Sequence, residues 1–465
     1  MALPIESHNN YTSEPLDATK FGPSCPQARP QALPTYQPEQ SEDCLLLNVQ
    51  VPHNPASSSL PVFVEIHGGG YTAGNAEGVP GDALVHRANG TMIFVGIQYR
   101  LGLLGFLASA EVRDNGILNA GLLDQRMALE WVQRHISAFG GDPDRVTIDG
   151  ASAGGGSVSY QLMAYGGAGV APFRAAIPEL PWWQPLKNET LSQTNYERIL
   201  GNASCTDLEC LRRLPSDQII TLTQNSIRNS YPDAEGNFGQ YATGDFVFGP
   251  IVDGSFIKGL PTAEFKAGHF YHVPILTNHE SAEGVIFTDM NETQAELPGD
   301  LDRIFNTPSK DFLATLLNDL YPSNEYASVG EQRAAIFGNL YVDCGTLAIA
   351  SSASQWGNNQ SAIFKFNSSA DGGLHGTIGA YVYSADINGP YPNATLAAIL
   401  QSYYISFTKY LDPNPGRLEG APFFPSYSEA QQILQISDTD IVVGADADRG
   451  ARCYFYEANP HTTRN

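Results

Sequence analysis

Residues 146–163 carry the pattern best suited to chemistry, a short apolar strand followed by a glycine-flanked turn and a helical stretch. Gly150, Ser152 and Gly154 spell G-x-S-x-G, the motif of a nucleophile elbow. A strand that reverses sharply into a helix strains the middle residue of the turn and leaves room beside it only for small residues. Ser152 is therefore predicted to project at a helix N-terminus, where unpaired N–H groups favour the charge on an attacked carbonyl oxygen. A chain with 45 glycines also produces this motif by chance, so a plain Gly/Ser loop is the alternative.

A serine hydroxyl becomes a good nucleophile when a histidine takes its proton and a carboxylate orients that histidine. Among the histidines that follow Ser152, only His375 lies in a glycine-rich loop, DGGLHGT, directly after a predicted strand. Glu280 and Glu283 both follow an earlier strand, and Glu283 is preferred as the acid because Gly284 lets its loop turn sharply. Taken alone, each of these residues is more often a solvated carboxylate or a surface imidazole.

A glycine loop at residues 67–70, HGGG, resembles the loops that supply backbone N–H groups to an oxyanion. Glycines let the backbone approach a substrate closely. Gly69, Gly70 and the N–H of Ala153 are the predicted donors, each worth roughly 3 kcal/mol of transition-state stabilisation. The alternative is a flexible turn after a strand.

The elements that must position these residues alternate along the chain. Residues 119–139 have apolar side chains at helical spacing, and glycines and a proline end the helix. Short apolar runs predict strands at 44–51, 61–67, 92–98, 272–278 and 361–367, with a late helix at 393–411. Residues 1–40 are expected to be irregular, and 180–245 to form an inserted cap. This alternation predicts an α/β fold.

The amino-acid composition argues against some classes of binding partner. The formal net charge of -24 and the pI near 4.6 argue against nucleic acid and anionic membrane surfaces, because the net field repels polyanions. The sequence has no run of about 18 apolar residues and no signal-like start, so stable membrane insertion is not expected. From its length alone, a chain of 465 residues is expected to form about three domains, and one large domain is the alternative.

Cysteines and asparagines point to a secreted protein. The six cysteines have no metal-ligand spacing such as C-x-x-C, so no metal site is predicted, and buried free thiols are the alternative to disulfides. N-x-S/T sequons recur along the chain and predict glycosylation. We therefore expect an extracellular glycoprotein whose leader is absent from the sequence. The sequons are at Asn10, Asn89, Asn188, Asn202, Asn291, Asn359, Asn367 and Asn393.

The whole pattern resembles the type-B carboxylesterase family, which includes cholinesterases and fungal lipases. The resemblance runs from about Cys25 to Tyr456 and is most specific across residues 119–156. It is carried by the segments SEDCLLLNVQVP, HGGGYTAGN, QYRLGLLGFL, NAGLLDQRMALEWVQRHISAFGGDPDRVTIDGASAGG, AEGVIF and LHGTIGAYVY.

The resemblance implies one α/β-hydrolase domain over residues 1–465, with a large, mostly parallel central sheet, helices on both faces and cap insertions. It implies Ser152, Glu283 and His375 as the catalytic triad, and no cofactor. The disulfides implied by position are Cys25–Cys44, Cys205–Cys210 and Cys344–Cys453.

Two departures from the family pattern concern the substrate. The residue before the nucleophile, commonly Glu in the family, is Ala151, and no tryptophan lies between Cys25 and Cys44, where cholinesterases carry their choline-stacking ring. Both argue against a cationic choline ester. A third departure is that the family's N-terminal strands have no counterpart before Cys25.

The segment PELPWWQPL falls where the family lines its acyl pocket. Trp182 and Trp183, together with Tyr71 from the glycine loop, form the predicted substrate pocket, which suggests a bulky or aromatic acyl group. The alternative is that the tryptophans belong to the core.

The leading prediction is a secreted serine esterase that acts on a small-molecule ester through an acyl-enzyme. One alternative is an acyltransferase or lactone-processing enzyme, which uses the same intermediate with an alcohol as acceptor. Another is a non-catalytic binding relative, which the intact Ser/Glu/His set disfavours. No oligomeric state is predicted.

Overall fold

The computed structural model describes residues 2–5, 18–27, 39–228, 247–305, 308–357, 362–383 and 393–465. Within these residues, nine strands form one sheet in the order β1-β3-β2-β4-β5-β6-β7-β8-β9. Its inner pairs are parallel, and only the β1/β3 and β8/β9 pairs at the edges are antiparallel. The strands are β1 Leu47–Gln50, β2 Leu60–Ile66, β3 Ile93–Ile97, β4 Gly141–Ala151, β5 Ala175–Glu179, β6 Ile275–Glu280, β7 Ile363–Ser368, β8 Gln432–Ile436 and β9 Ile441–Ala445.

The central strands are buried on both faces because helices cover both. All residues of β2 (LPVFVEI) and β3 (IFVGI) are buried, as expected for parallel strands inside an α/β protein. Val64 pairs with Val95 on one side and with Ile148 on the other, which fixes the register of the central strands.

Helices lie between most successive strands, follow the last one, and pack on both faces of the sheet. They are α1 Asp82–Ala88, α2 Gly102–Phe106, α3 Ala110–Asn115, α4 Ala120–His135, α5 Ala153–Met163, α6 Glu189–Ala203, α7 Leu208–Arg212, α8 Ser216–Arg228, α9 Pro261–Ala267, α10 Leu297–Phe305, α11 Lys310–Ala314, α12 Val329–Gly338, α13 Cys344–Trp356, α14 Thr377–Tyr383, α15 Ala394–Tyr410, α16 Tyr427–Ala430, α17 Ala451–Ala458 and α18 Pro460–Thr463. On one face α5 packs on β4 and β5 and contacts α4 and α9, while α13 packs on β6 and β7. On the other face α15 packs on β2 and β4 and contacts α1 and α14.

The α/β-hydrolase architecture expected from the sequence is confirmed, with elements close to the expected bounds. Helix α4 ends at His135 and continues as a 3-10 turn, Ile136–Phe139. The expected cap region holds α6, α7 and α8 within its described part. Strands β5, β8 and β9 were not predicted from the sequence. Strand β5 has only five residues and contains Pro178, which weakens any strand prediction.

One helical stretch in the described part of the chain, Val329–Trp356, is long and apolar enough to cross a membrane. It comprises α12, the π-helical turn Asn339–Asp343 and α13. Because 78% of its most apolar window is buried inside the protein and α13 packs on β6 and β7, it is a core helix.

The disulfides form as the resemblance implied, joining Cys25 to Cys44, Cys205 to Cys210 and Cys344 to Cys453. They leave no free cysteine, so the alternative of buried thiols is wrong. The Cys344–Cys453 bond attaches α17 to the core helix α13.

The predicted glycosylation sites differ in their surroundings. Asn89, Asn188, Asn202 and Asn291 are exposed, whereas Asn393 is partly buried, with an amide that caps α15 and donates to Asp438 O. Asn10 and Asn359 lie outside the described residues.

Asn367 is the sequon asparagine whose surroundings least suit a glycan. It lies inside β7, and its amide nitrogen is 3.2 and 3.3 Å from the ring nitrogens of buried His279. A glycan at this position would displace that contact, so the geometry disfavours modification of Asn367.

A buried ion-pair cluster ties β7 to the segment after β9. The ammonium of Lys365, which is fully buried, lies 2.6 Å from Asp446 Oδ1 and 2.5 Å from Asp448 Oδ2. Asp446 also accepts a hydrogen bond from the Tyr427 hydroxyl at 2.9 Å. Removing the ammonium would leave the buried Asp446 carboxylate without its counter-charge, which costs several kcal/mol.

We predict that Lys365→Met lowers the free energy of unfolding by about 3–5 kcal/mol in urea denaturation. The control is Arg113→Ala, which removes an exposed ion pair with Glu189 and should change stability little, because solvent screens that pair. A Lys365→Met protein as stable as the wild type would contradict the assignment of this cluster.

Candidate active site

The nucleophile elbow forms where the sequence predicted it. Strand β4 ends at Ala151, helix α5 begins at Ala153, and Ser152 between them has φ 61° and ψ -125°, a strained conformation for a residue with a side chain. Glycine is required at Gly154, because a Cβ there would lie 2.0 Å from the carbonyl oxygen of Ile66. The backbone around the turn is held from β5, as Ser152 N–H donates to Glu179 O at 3.2 Å.

Ser152, His375 and Glu283 form one hydrogen-bonded chain. The Oγ of Ser152 lies 2.8 Å from Nε2 of His375, and Nδ1 of His375 contacts Oε2 of Glu283. The imidazole and the carboxylate are almost completely buried. A carboxylate on Nδ1 requires the proton there and leaves Nε2 free to accept the serine proton.

The preference for Glu283 over Glu280 as the histidine's partner agrees with the geometry. Glu283 follows β6 by three residues, and its other oxygen accepts from the backbone N–H of Glu280 at 2.6 Å. The side chain of Glu280 points elsewhere and accepts a hydrogen bond from Ile378 N.

The loops after β6 and β7 are joined along their backbones. Ser281 N–H donates to Ser368 O, and Ala282 N–H donates to Gly373 O, both at 2.8 Å. A parallel bridge pairs Ala282 with Leu374, the neighbour of His375. These bonds set the distance between the acid and the histidine before their side chains meet.

The glycine loop lies against Ser152. A Cβ on Gly68 would be 3.2 Å from the Cβ of Ser152, so the two backbones are in close contact. Gly69 and Gly70 have φ of 112° and 62°, which glycine adopts without strain. Ala153 opens helix α5, where its N–H has no acceptor in the preceding turn. The predicted oxyanion donors therefore lie on the two segments that border Ser152.

The three predicted pocket residues have different surroundings. Trp182 contacts His375, with the two rings 5.5 Å apart in an edge-on arrangement. Trp183 stacks on Phe265 at 5.6 Å and is fully buried. Tyr71 is also fully buried, and its hydroxyl donates to Trp182 O at 3.3 Å, so it supports the tryptophan segment from the core.

An aromatic cluster lies against the imidazole of His375. Phe287 lies 5.0 Å from the His375 ring and 4.8 Å from Trp182, both between ring centroids. Phe337 and Tyr341 pack behind Trp182 at 5.7 and 4.9 Å. Phe287 was not predicted as a site residue from the sequence, although it lies four residues after Glu283.

Three buried carboxyl groups lie beneath the elbow on neighbouring strands. Glu65 on β2 pairs in register with Asp149 on β4, and Glu179 on β5 pairs with Ala151. Burial, reinforced by carboxyl neighbours for Glu65 and Asp149, raises the pKa of all three. The Tyr383 hydroxyl contacts both Asp149 and Glu179, and one hydroxyl has a single proton to donate, so a carboxyl proton must complete this network.

A cluster of one histidine and several carboxylates lies next to Glu283. His279 is 2.7 Å from Asp448 and 3.2 Å from Asp343; burial opposes its protonation, but these carboxylates raise its pKa. His279, Glu283 and Asp343 each place one potential metal-ligand atom within 4.8 Å of the others. Both oxygens of Glu283 already accept hydrogen bonds, from His375 and from Glu280 N, so we assign no metal there.

His67, the first residue of the glycine loop, is a buried neutral histidine. Burial lowers its pKa to about 4, although a backbone bond to Gly68 opposes the shift. Its ring stacks on Tyr99 at 4.4 Å between centroids, which anchors the start of the glycine loop.

Comparison with known proteins gives one consistent result. The model of the family described as "Carboxylesterase family" matches residues 4–454. The chain is similar to the protein named Carboxylesterase patB from Aspergillus clavatus, with 31% identity over 90% of this chain and 76% of that protein. It is also similar to Secreted lipase 1 of Botryotinia fuckeliana, with 32% identity over 85% of this chain and 72% of that protein.

Solved structures agree. The crystal structure of Aspergillus niger EstA is similar to this chain with a TM-score of 0.82 and 29% identity, over 96% of this chain and 89% of that one. A structure titled PNB esterase gives a TM-score of 0.75 and 27% identity, over 93% and 87% of the two chains.

The buried carboxyls predict an unusual pH dependence of stability. Because their pKa is higher in the folded chain than the ordinary value of 4.5 for Glu and 3.8 for Asp, the folded state holds protons that the unfolded state releases. Their contribution is therefore full below about pH 4 and is lost as the pH rises toward the folded-state pKa. We predict that the free energy of unfolding of Glu65→Gln falls less steeply above this pH than that of the wild type. Parallel slopes in urea denaturation from pH 4 to pH 9 would contradict this.

Proposed function

The chain belongs to the carboxylesterase family and is a carboxylic ester hydrolase, and we propose that it acts through an acyl-enzyme on Ser152. The observation that carries the proposal is the chain of hydrogen bonds from Ser152 Oγ through His375 to Glu283. The strained backbone at Ser152 and the contact of Gly68 with that residue support it further.

In the proposed mechanism, Ser152 Oγ attacks the ester carbonyl carbon while His375 Nε2 takes the hydroxyl proton. Glu283 stabilises the imidazolium that forms. The negative charge on the carbonyl oxygen is stabilised by the N–H groups of Gly69, Gly70 and Ala153.

Collapse of this intermediate breaks the bond to the alcohol, which leaves with the proton from His375. Water then attacks the acyl-enzyme, with His375 again as general base, and releases the carboxylic acid and Ser152. The reaction needs no cofactor, because the serine, the histidine and the backbone supply the nucleophile, the base and the oxyanion donors.

We propose that the chain is extracellular. Relatives named secreted lipases, from Botryotinia fuckeliana and Gibberella zeae, support this, as do the three disulfides, which persist in oxidising compartments. The exposed sequon asparagines are consistent with it.

For the substrate, we propose a bulky or aromatic acyl group that contacts Trp182. The contact of this ring with His375 supports the assignment, because an acyl group on Ser152 must lie beside that histidine. Trp183 and Tyr71 are retained as supporting core residues, not as substrate contacts, because they pack on Phe265 and beneath the Trp182 backbone.

We predict that a fluorophosphonate probe labels Ser152, located by mass spectrometry of the purified protein. Ser152→Ala should abolish labelling and lower kcat/KM for p-nitrophenyl acetate by at least about 10⁴-fold, because the nucleophile is lost. Activity that survives Ser152→Ala in folded protein would refute the acyl-enzyme.

We predict that Trp182→Ala changes acyl preference whereas Trp183→Ala does not. The ratio of kcat/KM for p-nitrophenyl benzoate to that for the acetate should change by about tenfold or more in Trp182→Ala, the scale of apolar pocket contacts. Trp183→Ala is the matched control, since it removes an equally large buried ring that stacks on Phe265. Unchanged ratios in both variants would exclude the proposed acyl contact.

A further inference from the structure

Glu280, the last residue of β6, is bonded to both loops that supply the proton-transfer residues. Its backbone N–H donates to Oε1 of Glu283 at 2.6 Å. Its side-chain Oε1 accepts from the N–H of Ile378 at 2.6 Å, three residues after His375. The residue is completely buried.

Each of these bonds constrains a different member of the triad. The bond to Glu283 holds the carboxylate oxygen that does not face the histidine, which fixes the rotation of that carboxylate. Ile378 lies in the first turn of α14, which begins two residues after His375, so the bond to its N–H fixes the exit of the histidine loop.

We propose that Glu280 is a positioning residue that sets Glu283 and His375 relative to one another, through its backbone N–H and its side-chain carboxyl together. The inference rests on the proposed function, since it assigns a role toward the residues of that reaction.

The surroundings of Glu280 indicate that its carboxyl is uncharged while it does this. Its Oε2 has no hydrogen-bond partner among the described residues, and a carboxylate buried in this way pays a large desolvation cost. Burial, and then the charge of Glu283, raise its pKa well above the ordinary value, although the Ile378 bond opposes the shift. The titratable groups that face it are Glu283, Glu179, His279, Tyr381 and Tyr404.

A neutral Glu280 suits proton transfer because it does not repel the negative charge of Glu283, which is bonded to His375. Ionised Glu280 would repel Glu283, which accepts from the same residue's backbone. The positioning would therefore weaken at alkaline pH.

The test compares Glu280→Gln, Glu280→Asp and Glu280→Ala with the wild type on p-nitrophenyl acetate. The amide oxygen of Gln can still accept from Ile378 N, whereas Asp is too short by one methylene and Ala has no acceptor. We expect kcat of Glu280→Gln within about threefold of the wild type, and kcat of the Asp and Ala variants about 10- to 100-fold lower with KM unchanged, the scale of a misplaced catalytic group. If Glu280→Ala does not fold, the contrast between Gln and Asp carries the same test.

Two measurements separate positioning from loss of folding. Rates are divided by the concentration of protein that the fluorophosphonate probe labels, so unfolded molecules do not count. The pH profile of kcat should extend further on the alkaline side in Glu280→Gln than in the wild type. Glu65→Gln is the matched control, because it also removes a buried carboxyl of raised pKa but touches no triad residue in the described structure, and its profile should follow the wild type.

The outcomes are distinguishable. Wild-type kcat in Glu280→Ala or Glu280→Asp, or equal losses in the Gln and Ala variants, would overturn the positioning role. An alkaline extension of equal size in Glu65→Gln would also overturn it, by assigning the effect to overall charge. Failure of the wild type itself to label at Ser152 would instead refute the proposed function.

Discussion

Parallel pairing of β4, β5, β6 and β7 is the constraint on which the rest of the site depends. Parallel strands end at the same edge of a sheet, so the segments that follow β4, β6 and β7 meet. They meet although His375 lies 92 residues from Glu283 and 223 residues from Ser152 along the chain. Ser152, Glu283 and His375 occupy those three segments. Backbone hydrogen bonds between the loops after β6 and β7 fix the register of these two loops. That register places Glu283 beside His375.

The sequence alone predicted the elements whose local residue pattern matches their environment in the folded protein. The runs that became β2 and β3 are apolar because both of their faces are covered, and the glycines around Ser152 are demanded by contacts such as that of Gly154 with Ile66. The order of serine, acid and histidine, the glycine-rich loop around His375 and the glycine after Glu283 favoured Glu283 and His375, which the structure brings into contact. In these cases the local pattern and the tertiary contact have the same physical cause.

Other features depend on contacts that no local pattern contains. Strand β5 is stabilised by pairing with β4 and β6, which outweighs the unfavourable presence of Pro178. The short segment itself therefore carries no clear strand pattern. Trp182 and Trp183 are adjacent and chemically identical in the sequence, yet one contacts His375 and the other stacks on Phe265. Only the path of the backbone after β5 separates their roles.

The charge near Ser152 is a further property that depends on contacts between distant segments. Ala151 suggested that a negative charge is missing from the site, but Asp149 lies two residues earlier on the same strand, and Glu179 pairs with Ala151 from β5. These carboxyls remain near the elbow, where burial raises their pKa and so shifts them toward the neutral form, and they bond to tyrosine hydroxyls in place of cations. A neutral acid beneath Ser152 does not oppose the developing oxyanion, whereas a carboxylate there would. The electrostatics of this site therefore follow from burial, which sets the protonation of each carboxyl, and not from the number of acidic residues near the serine.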